Sequence, residues 1–236
     1  RKHGLNKFYL FFLLLFTSYV SAEEIFIKEK NSIYYNENGE NFLLFNKKDY
    51  CFDKDAFSVE YFGIPLKKYV VVNYTEDCNP SGQYRIFEIS SLKAKEFYLS
   101  PLYDPEFINN QIIERFKDGA ISYKRIYTLK SGSYSRQEEW KSLAPNINIS
   151  TYFLNGYKVY VLKDDLGREI QNLMITSPKA FLFDRYFIQK KSYLIQGDRV
   201  KINHIAKNKD NFFLSIDYIS KKNGVVKAYI MLSDVI

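Results

Sequence analysis

Histidine and cysteine, which supply many metal sites and catalytic centres, are scarce in this sequence, with two residues of each. His3 stands in an apolar-rich N-terminal segment, and His204 stands in an alternation of apolar and polar residues near the C-terminus. A zinc site needs several His or Cys ligands, and a Ser-His-Asp triad would need His204 as its base. Because such alternation is typical of a strand, we interpret His204 as a partly buried structural residue. We predict no metal site and no cofactor.

Carboxylate chemistry is the other possibility, since glycoside hydrolysis needs only two acidic side chains that folding brings together. Glu138, Glu139, Asp164 and Asp165 are candidates among the chain's acidic residues. All four have polar neighbours typical of turns or surfaces, so we interpret them as solvated charges. The sequence therefore predicts a protein that is not an enzyme, with a hydrolase as the alternative.

The N-terminus has the pattern of a secretory signal peptide. Arg1, Lys2 and Lys7 precede an apolar run that begins at Phe8, and a small-residue site ends at Ala22. The apolar run is shorter than the ~20 residues of a membrane-spanning helix. We predict cleavage after residue 22 and no stable membrane span afterwards, with retention as an N-terminal anchor as the alternative.

Cys51 and Cys78 are the chain's two cysteines. In an exported protein an isolated pair most often forms a structural disulfide. We predict that these two residues are bonded, and a reactive thiol pair is the alternative, although no C-x-x-C spacing is present.

The composition favours strands. The chain contains 21 Tyr and 20 Phe residues, and aromatic side chains fit the half-buried surface of a sheet. The formal net charge of +7 includes the leader's cations, and the remaining basic residues are mixed with many acidic ones. Nucleic-acid binding needs clustered Lys and Arg, so we predict no nucleic-acid partner.

Turn and periodicity signals place short strands along most of the chain. A turn at Asn36–Gly39 separates two apolar runs, Tyr69–Tyr74 is typical of a buried strand, and Lys222–Gly224 predicts a hairpin turn. Asp104-Pro105 resembles a helix start, and Phe107, Ile108, Ile112 and Phe116 follow at helical spacing. We predict a mainly β protein whose N-terminal antiparallel domain holds at most one or two short helices.

The sequence Tyr-Leu-Ile-Gln-Gly-Asp-Arg-Val at 193–200 resembles the YLIKGDKV signature of bacterial SH3-like domains. Alternating strands continue from it to Ile236. The resemblance implies a small SH3-like β-barrel over 171–236, a fold that usually binds peptide or glycan. The predicted organisation is a signal peptide at 1–22, a β-rich domain at 23–170 and the barrel at 171–236.

Three tyrosines are the candidate binding residues of this module. Domains of this type often carry Trp residues after a loop and before the last strand, and Phe and Tyr stand at those places here. We predict that Tyr186, Tyr218 and Tyr229 form an aromatic binding surface. The alternative is that they pack in the core.

Three functions follow from these features. We favour a non-catalytic binding protein of the bacterial periplasm or exterior that recognises peptidoglycan or a protein partner, for example an inhibitor or immunity protein of a wall-degrading enzyme. The second is an envelope hydrolase in which 23–170 is catalytic and the barrel directs it to peptidoglycan. The third is a structural envelope component without a small ligand.

Overall fold

The structure is a computed structural model, and it describes residues 25–29, 32–46, 57–73, 82–91, 93–220 and 224–236. The described part is mainly β, as predicted, and its one helical segment is a 3-10 turn at Leu232–Asp234. Among these residues, no helix has the length and apolar character needed to cross a membrane. Residues 1–22, Cys51 and Cys78 lie outside the described residues, so signal cleavage and the disulfide stay predictions.

The chain divides into two compact units, 1–48 and 49–236. The first unit contains one three-stranded antiparallel sheet in the order β1-β2-β3. Asn38 and Gly39 in the β2–β3 turn have φ values of 52° and 84°. Two positive φ angles are what a type I′ hairpin turn requires, which confirms the turn predicted at Asn36–Gly39. The strands are β1 (Ile25–Glu29), β2 (Ser32–Glu37) and β3 (Glu40–Asn46).

The second unit begins with a five-stranded antiparallel sheet in the order β4-β5-β6-β7, with β8 paired to β6. Its centre is β5, where Val70, Val71 and Val72 are all buried. This confirms the buried strand that the apolar run predicts. The strands are β4 (Phe57–Phe62), β5 (Lys67–Asn73), β6 (Gln83–Ser90), β7 (Lys93–Glu96) and β8 (Leu102–Tyr103).

The third sheet is a six-stranded antiparallel meander in the order β14-β13-β12-β11-β10-β9. Aromatic and aliphatic side chains of the second and third sheets pack together, with Phe62, Ile86, Ile112 and Tyr127 among the buried residues. The strands are β9 (Glu106–Ile108), β10 (Gln111–Asp118), β11 (Ile121–Lys130), β12 (Ser133–Ala144), β13 (Ile147–Leu154) and β14 (Tyr157–Lys163).

The helix predicted after Asp104-Pro105 is wrong, because β9 and β10 occupy that segment. Asn109 lies in the turn between β9 and β10 and has a φ of 53°. This left-handed conformation is incompatible with a continuous right-handed helix. The alternation typical of a strand could not be recognised in β10 because the charged residue Glu114 occupies a buried position, where it is 2% exposed. Its carboxylate accepts hydrogen bonds from the Tyr127 hydroxyl (3.0 Å) and the Tyr103 backbone N–H (3.1 Å), which makes its burial tolerable.

The fourth sheet has six antiparallel strands in the order β15-β18-β19-β20-β16-β17. The two end strands, β15 and β17, are not paired with each other, so the sheet is open and closure into an SH3-like barrel is not confirmed. The strands are β15 (Asn172–Met174), β16 (Lys179–Phe183), β17 (Gln189–Ile195), β18 (Arg199–Asn208), β19 (Asn211–Ser220) and β20 (Gly224–Met231).

The fourth sheet shares a core with the preceding strands. Ile149 on β13 and Leu162 on β14 lie in the same buried cluster as Leu214 and Ile216 on β19. The domain boundary predicted between residues 170 and 171 therefore separates two segments that pack against each other. The division into two domains at this point stays a prediction. Of the hairpin turn predicted at Lys222–Gly224, residues 222 and 223 lie outside the described residues, and the flanking strands β19 and β20 are paired from Ser220 and Gly224 onward.

Candidate functional site

The candidate site is an open groove of about 1250 Å³ on the fourth sheet, where β15 and β17 leave the sheet unclosed. Its volume exceeds the ~300–1,000 Å³ of small-molecule pockets, so it suits an extended ligand. Residues of five strands line it, among them Leu173, Met174, Tyr193, Arg199, Tyr218 and Val225.

The Gly-Asp pair of the signature sequence builds one end of the groove. Gly197 has a φ of 91°, a value that glycine adopts without a steric penalty. The Asp198 carboxylate accepts a hydrogen bond from the Ile195 backbone N–H (2.9 Å). The Gly197 N–H donates to the Ile175 carbonyl (2.9 Å), and the Ile175 N–H donates to the Asp198 carbonyl (2.9 Å). The turn therefore ties the end of β17 and the start of β18 to the segment after β15.

Apolar side chains lie at the rim of the groove. Ile219 is 85% exposed and Val225 is 64% exposed, while Met174 and Tyr193 are each close to half exposed. Single exposed apolar residues are ordinary, but a group of them around one concavity marks a binding surface. The rim therefore favours a ligand that covers apolar side chains.

Two cations and two carboxylates line the groove; within the described residues the carboxylates accept hydrogen bonds from neutral groups, whereas the cations form no ion pair. Asp198 holds the turn, and Asp217 accepts a hydrogen bond from the Asn203 side-chain amide (2.8 Å). Arg199 and Lys201 are exposed, and within the described part of the chain neither has a carboxylate within 4 Å. These two cations favour a ligand with acidic groups.

The structure separates the three predicted tyrosines. Tyr218 lies on the core side of β19 and lines the groove, with Leu214 and Ile216 on the same side. Tyr229 is paired with Ser215, and residues that are opposite each other share a face, so Tyr229 lies on the other side of the sheet. No common three-tyrosine surface forms, and the binding roles of these residues stay predictions.

Tyr186 lies in the turn after β16, where it is 65% exposed and the Arg185 guanidinium lies 4.7 Å from its ring centroid. The next residue, Phe187, has a φ of 62°, which is rare for a bulky side chain. The Asp184 carboxylate fixes this turn by accepting hydrogen bonds from the backbone N–H groups of Tyr186 (2.8 Å) and Ile188 (3.0 Å).

Phe187 and Tyr229 belong to an aromatic cluster, with Tyr229 on the side of the sheet away from Tyr218. The Phe187 ring centroid lies 4.7 Å from that of Phe213 and 5.3 Å from that of Tyr229. His204 Nε2 lies 3.1 Å from the Tyr229 hydroxyl. His204 is exposed, so the prediction of a partly buried histidine is wrong. The register shifts between Ile202 and His204, and such a bulge turns the following side chain to the other face.

Glu138 is not the solvated charge that the sequence predicts, since its side chain is 13% exposed. Its Oε1 accepts hydrogen bonds from Lys163 Nζ (2.8 Å), Trp140 Nε1 (2.5 Å) and the Ser150 hydroxyl. Burial alone would raise the pKa of this carboxyl, but its three hydrogen bonds outweigh burial and hold the pKa below its usual value. Glu138 is therefore ionised and structural.

The other three candidate carboxylates also have partners. Glu139 accepts from Arg125 Nε at 2.6 Å, and Asp165 accepts from the Asn148 amide at 2.9 Å. Asp164 is buried, so its prediction as a solvated charge is wrong as well. Hydrogen bonds from the Arg168 backbone N–H and guanidinium hold its pKa below the usual value.

Metal-ligating side chains do not converge in the described part of the chain, where no group of three or more His, Cys, Asp or Glu could hold an ion.

The groove residues that sequence reasoning missed are Met174, Arg199, Lys201 and Val225. Arg199 lies within the signature sequence at 193–200, whereas the other three carry no signal beyond an apolar or basic residue in a strand, which many strands share.

The described part of the chain is mainly β with an open groove on its fourth sheet, and comparison with known proteins adds little to this description. No protein-family model matches the chain, and no solved structure matches it. Part of the chain is similar to a lysine–tRNA ligase of Mycoplasma mobile, with 26% identity over 169 residues. The matched segment is 66% of this chain and 29% of the ligase. A match of this extent assigns neither a family nor an activity to the chain.

Proposed function

We propose that this chain is a non-catalytic, exported bacterial binding protein whose C-terminal sheet captures an extended peptide with acidic groups. The observation that carries the proposal is the groove on the fourth sheet. Its volume suits an extended ligand, its rim is apolar, and Arg199 and Lys201 are exposed cations without an ion pair among the described residues. An acidic peptide would be held by both features. A peptidoglycan stem peptide and a segment of a protein partner share this chemistry.

We further propose that residues 171–236 form an SH3-like module. The meander β18-β19-β20, the 3-10 turn before the C-terminus and the Gly197-Asp198 turn support this assignment. Export to the periplasm or the cell exterior is supported by the residue pattern of 1–22.

The binding test uses residues 23–236, sedimented with purified peptidoglycan sacculi and, in parallel, passed over immobilised envelope proteins. We expect saturable binding to one of the two. Replacing both Arg199 and Lys201 with Glu should weaken that binding at least tenfold. The control replaces Lys93 and Lys95 with Glu, which makes the same charge change at exposed residues of the second sheet.

A second pair of variants tests the apolar rim. Met174→Ser with Val225→Ser should weaken binding, whereas Leu66→Ser, at a residue 69% exposed and outside the groove, should not. Binding that both groove variants leave unchanged would refute the proposal. Release of sugar or peptide fragments from the sacculi would refute the non-catalytic assignment.

The hydrolase alternative has no supporting observation among the described residues. Each of the four candidate carboxylates is hydrogen-bonded to a side chain, and none of them lines the groove. We therefore do not propose it.

A further inference from the structure

We propose that a second pocket, in the third sheet, binds a sugar that carries one anionic group. The pocket has a volume of about 460 Å³ and lies along the β10–β11 hairpin, reaching Trp140 on β12 and Asn148 on β13. That volume suits a small molecule of one or two rings. The pocket shares no lining residue with the groove of the fourth sheet, so this inference does not depend on the proposed peptide binding.

Positive charge in the pocket exceeds what its neighbours neutralise. Arg115, Lys117 and Lys124 all line it. Arg115 forms an ion pair with Glu106, whereas in the described ranges neither lysine has a carboxylate within 4 Å. Arg115 and Lys124 are also direct cross-strand partners, and like charges opposite each other destabilise a sheet. A bound anion would relieve this repulsion.

Lys124 is the side chain that most needs an anionic partner. It is half-buried, and its Nζ lies 4.6 Å from the centroid of the Trp140 ring. Burial lowers the pKa of this ammonium, and the nearby charges of Arg115 and Lys163 lower it further, while the carboxylates of Glu138 and Glu106, neither within 4 Å, oppose this shift without reversing it. A buried cation is normally paired, since removing it from water costs free energy that a partner offsets. The ring offers only a weak partner, which leaves room for a carboxylate or phosphate oxygen.

The remaining lining residues suit a sugar rather than a simple ion. The rings of Phe116 and Tyr123 are stacked with centroids 5.0 Å apart, but they lie on the face of the β10–β11 ladder opposite Lys124 and Trp140, so the ring on the side of the cations is the Trp140 indole. An indole ring can contact the apolar C–H face of a sugar. Asp104 and Ser122 also line the pocket and could accept hydrogen bonds from sugar hydroxyls.

Asp104 also argues against a polyanion such as nucleic acid. Its carboxylate lies among the lining residues, and it would repel a second phosphate next to the one bound by the cations. The pocket therefore fits a ligand with one charge and several hydroxyl groups.

Trp140 makes the test direct, because it is the chain's single tryptophan and it lines the pocket. Its fluorescence would be followed while the full chain is titrated with glucuronate, glucose 6-phosphate, glucose, inorganic phosphate or a short oligo-dT. We expect a saturable change with glucuronate, with glucose 6-phosphate or with both, and the stronger of the two identifies the anion. Glucose and inorganic phosphate should bind at least tenfold more weakly.

Variants connect the signal to the pocket. Lys124→Gln and, separately, Arg115→Gln should each weaken binding at least tenfold, and Lys93→Gln, at an exposed residue outside the pocket, should not. Far-UV circular dichroism checks that each variant is folded. If Lys124→Gln does not fold, Arg115→Gln provides the test.

Three results would overturn the inference. The first is no saturable change with either anionic sugar. The second is inorganic phosphate binding as tightly as glucose 6-phosphate, which would indicate a simple anion site. The third is tighter binding of oligo-dT than of either sugar, which would indicate a single-stranded nucleic-acid surface.

Discussion

Glu138→Gln should destabilise the protein in a way that depends on pH. The side chains of Glu138 and Lys163 are only 13% and 14% exposed, and their Oε1 and Nζ atoms lie 2.8 Å apart. The substitution preserves the shape of the side chain and removes its charge. Lys163 would then be a nearly buried cation without a carboxylate.

The expected cost follows from what Lys163 retains. Removing one partner of a fully buried ion pair costs about 3–5 kcal/mol. The Gln oxygen can still accept one hydrogen bond, which is worth about 1 kcal/mol. The Lys163 Nζ also stays near the rings of Trp140 (4.9 Å to the centroid) and Tyr152 (5.0 Å). We therefore expect Glu138→Gln to lower the free energy of unfolding by about 2–3 kcal/mol at pH 7.

The pH dependence has a definite sign. Because folding lowers the pKa of the Glu138 carboxyl, its stabilisation is fully present above the unfolded pKa, near 4.5, and is lost as the pH falls through the folded value. The difference between wild type and Glu138→Gln should therefore shrink as the pH is lowered from 7 to 3. Urea unfolding followed by far-UV circular dichroism measures it at each pH.

A matched control uses the same substitution at Glu169, an exposed residue. Glu169→Gln should change the free energy of unfolding by less than about 0.5 kcal/mol. The reasoning would be refuted if Glu138→Gln behaved like this control at pH 7. It would also be refuted if its full destabilisation persisted at pH 3.

Three further substitutions test the packing and backbone arguments. Leu214→Ala, in the core beneath the fourth sheet, should lower the free energy of unfolding by about 2–5 kcal/mol, while Leu166→Ala, at a residue 78% exposed, should have little effect; equal urea midpoints would contradict this. The free energy of unfolding of Phe187→Gly should equal that of Phe187→Ala or exceed it by up to about 1 kcal/mol, because φ is 62° at this position. A less stable Gly variant would show that backbone strain is not significant there. Gly167→Ala should destabilise the protein and shift the emission of Trp140, since a Cβ at position 167 would lie 3.1 Å from the indole and φ is +87°; unchanged emission and stability would exclude this contact.

Local signals in the sequence predicted much of the fold. Alternating apolar residues and the run at Val70–Val72 gave strands, and Asn38-Gly39 and Gly197 gave turns with positive φ. These predictions succeed because side-chain alternation and backbone sterics act over a few residues.

Long-range pairing decided what the sequence left open. The period of β10 was hidden by Glu114, whose burial depends on a hydroxyl from Tyr127 on the neighbouring strand. The face of His204 depends on a bulge in the β18–β19 ladder, and that register is set by the partner strand.

The sequence by itself determined that the chain is mainly β and where several of its turns lie. Only the tertiary structure decided which charges are left without partners and which tyrosines share a face. The physical reason is that a charge or a ring acquires its role from groups distant in sequence. The groove at Arg199 and the pocket at Lys124 become visible only when sheet order brings separate strands together.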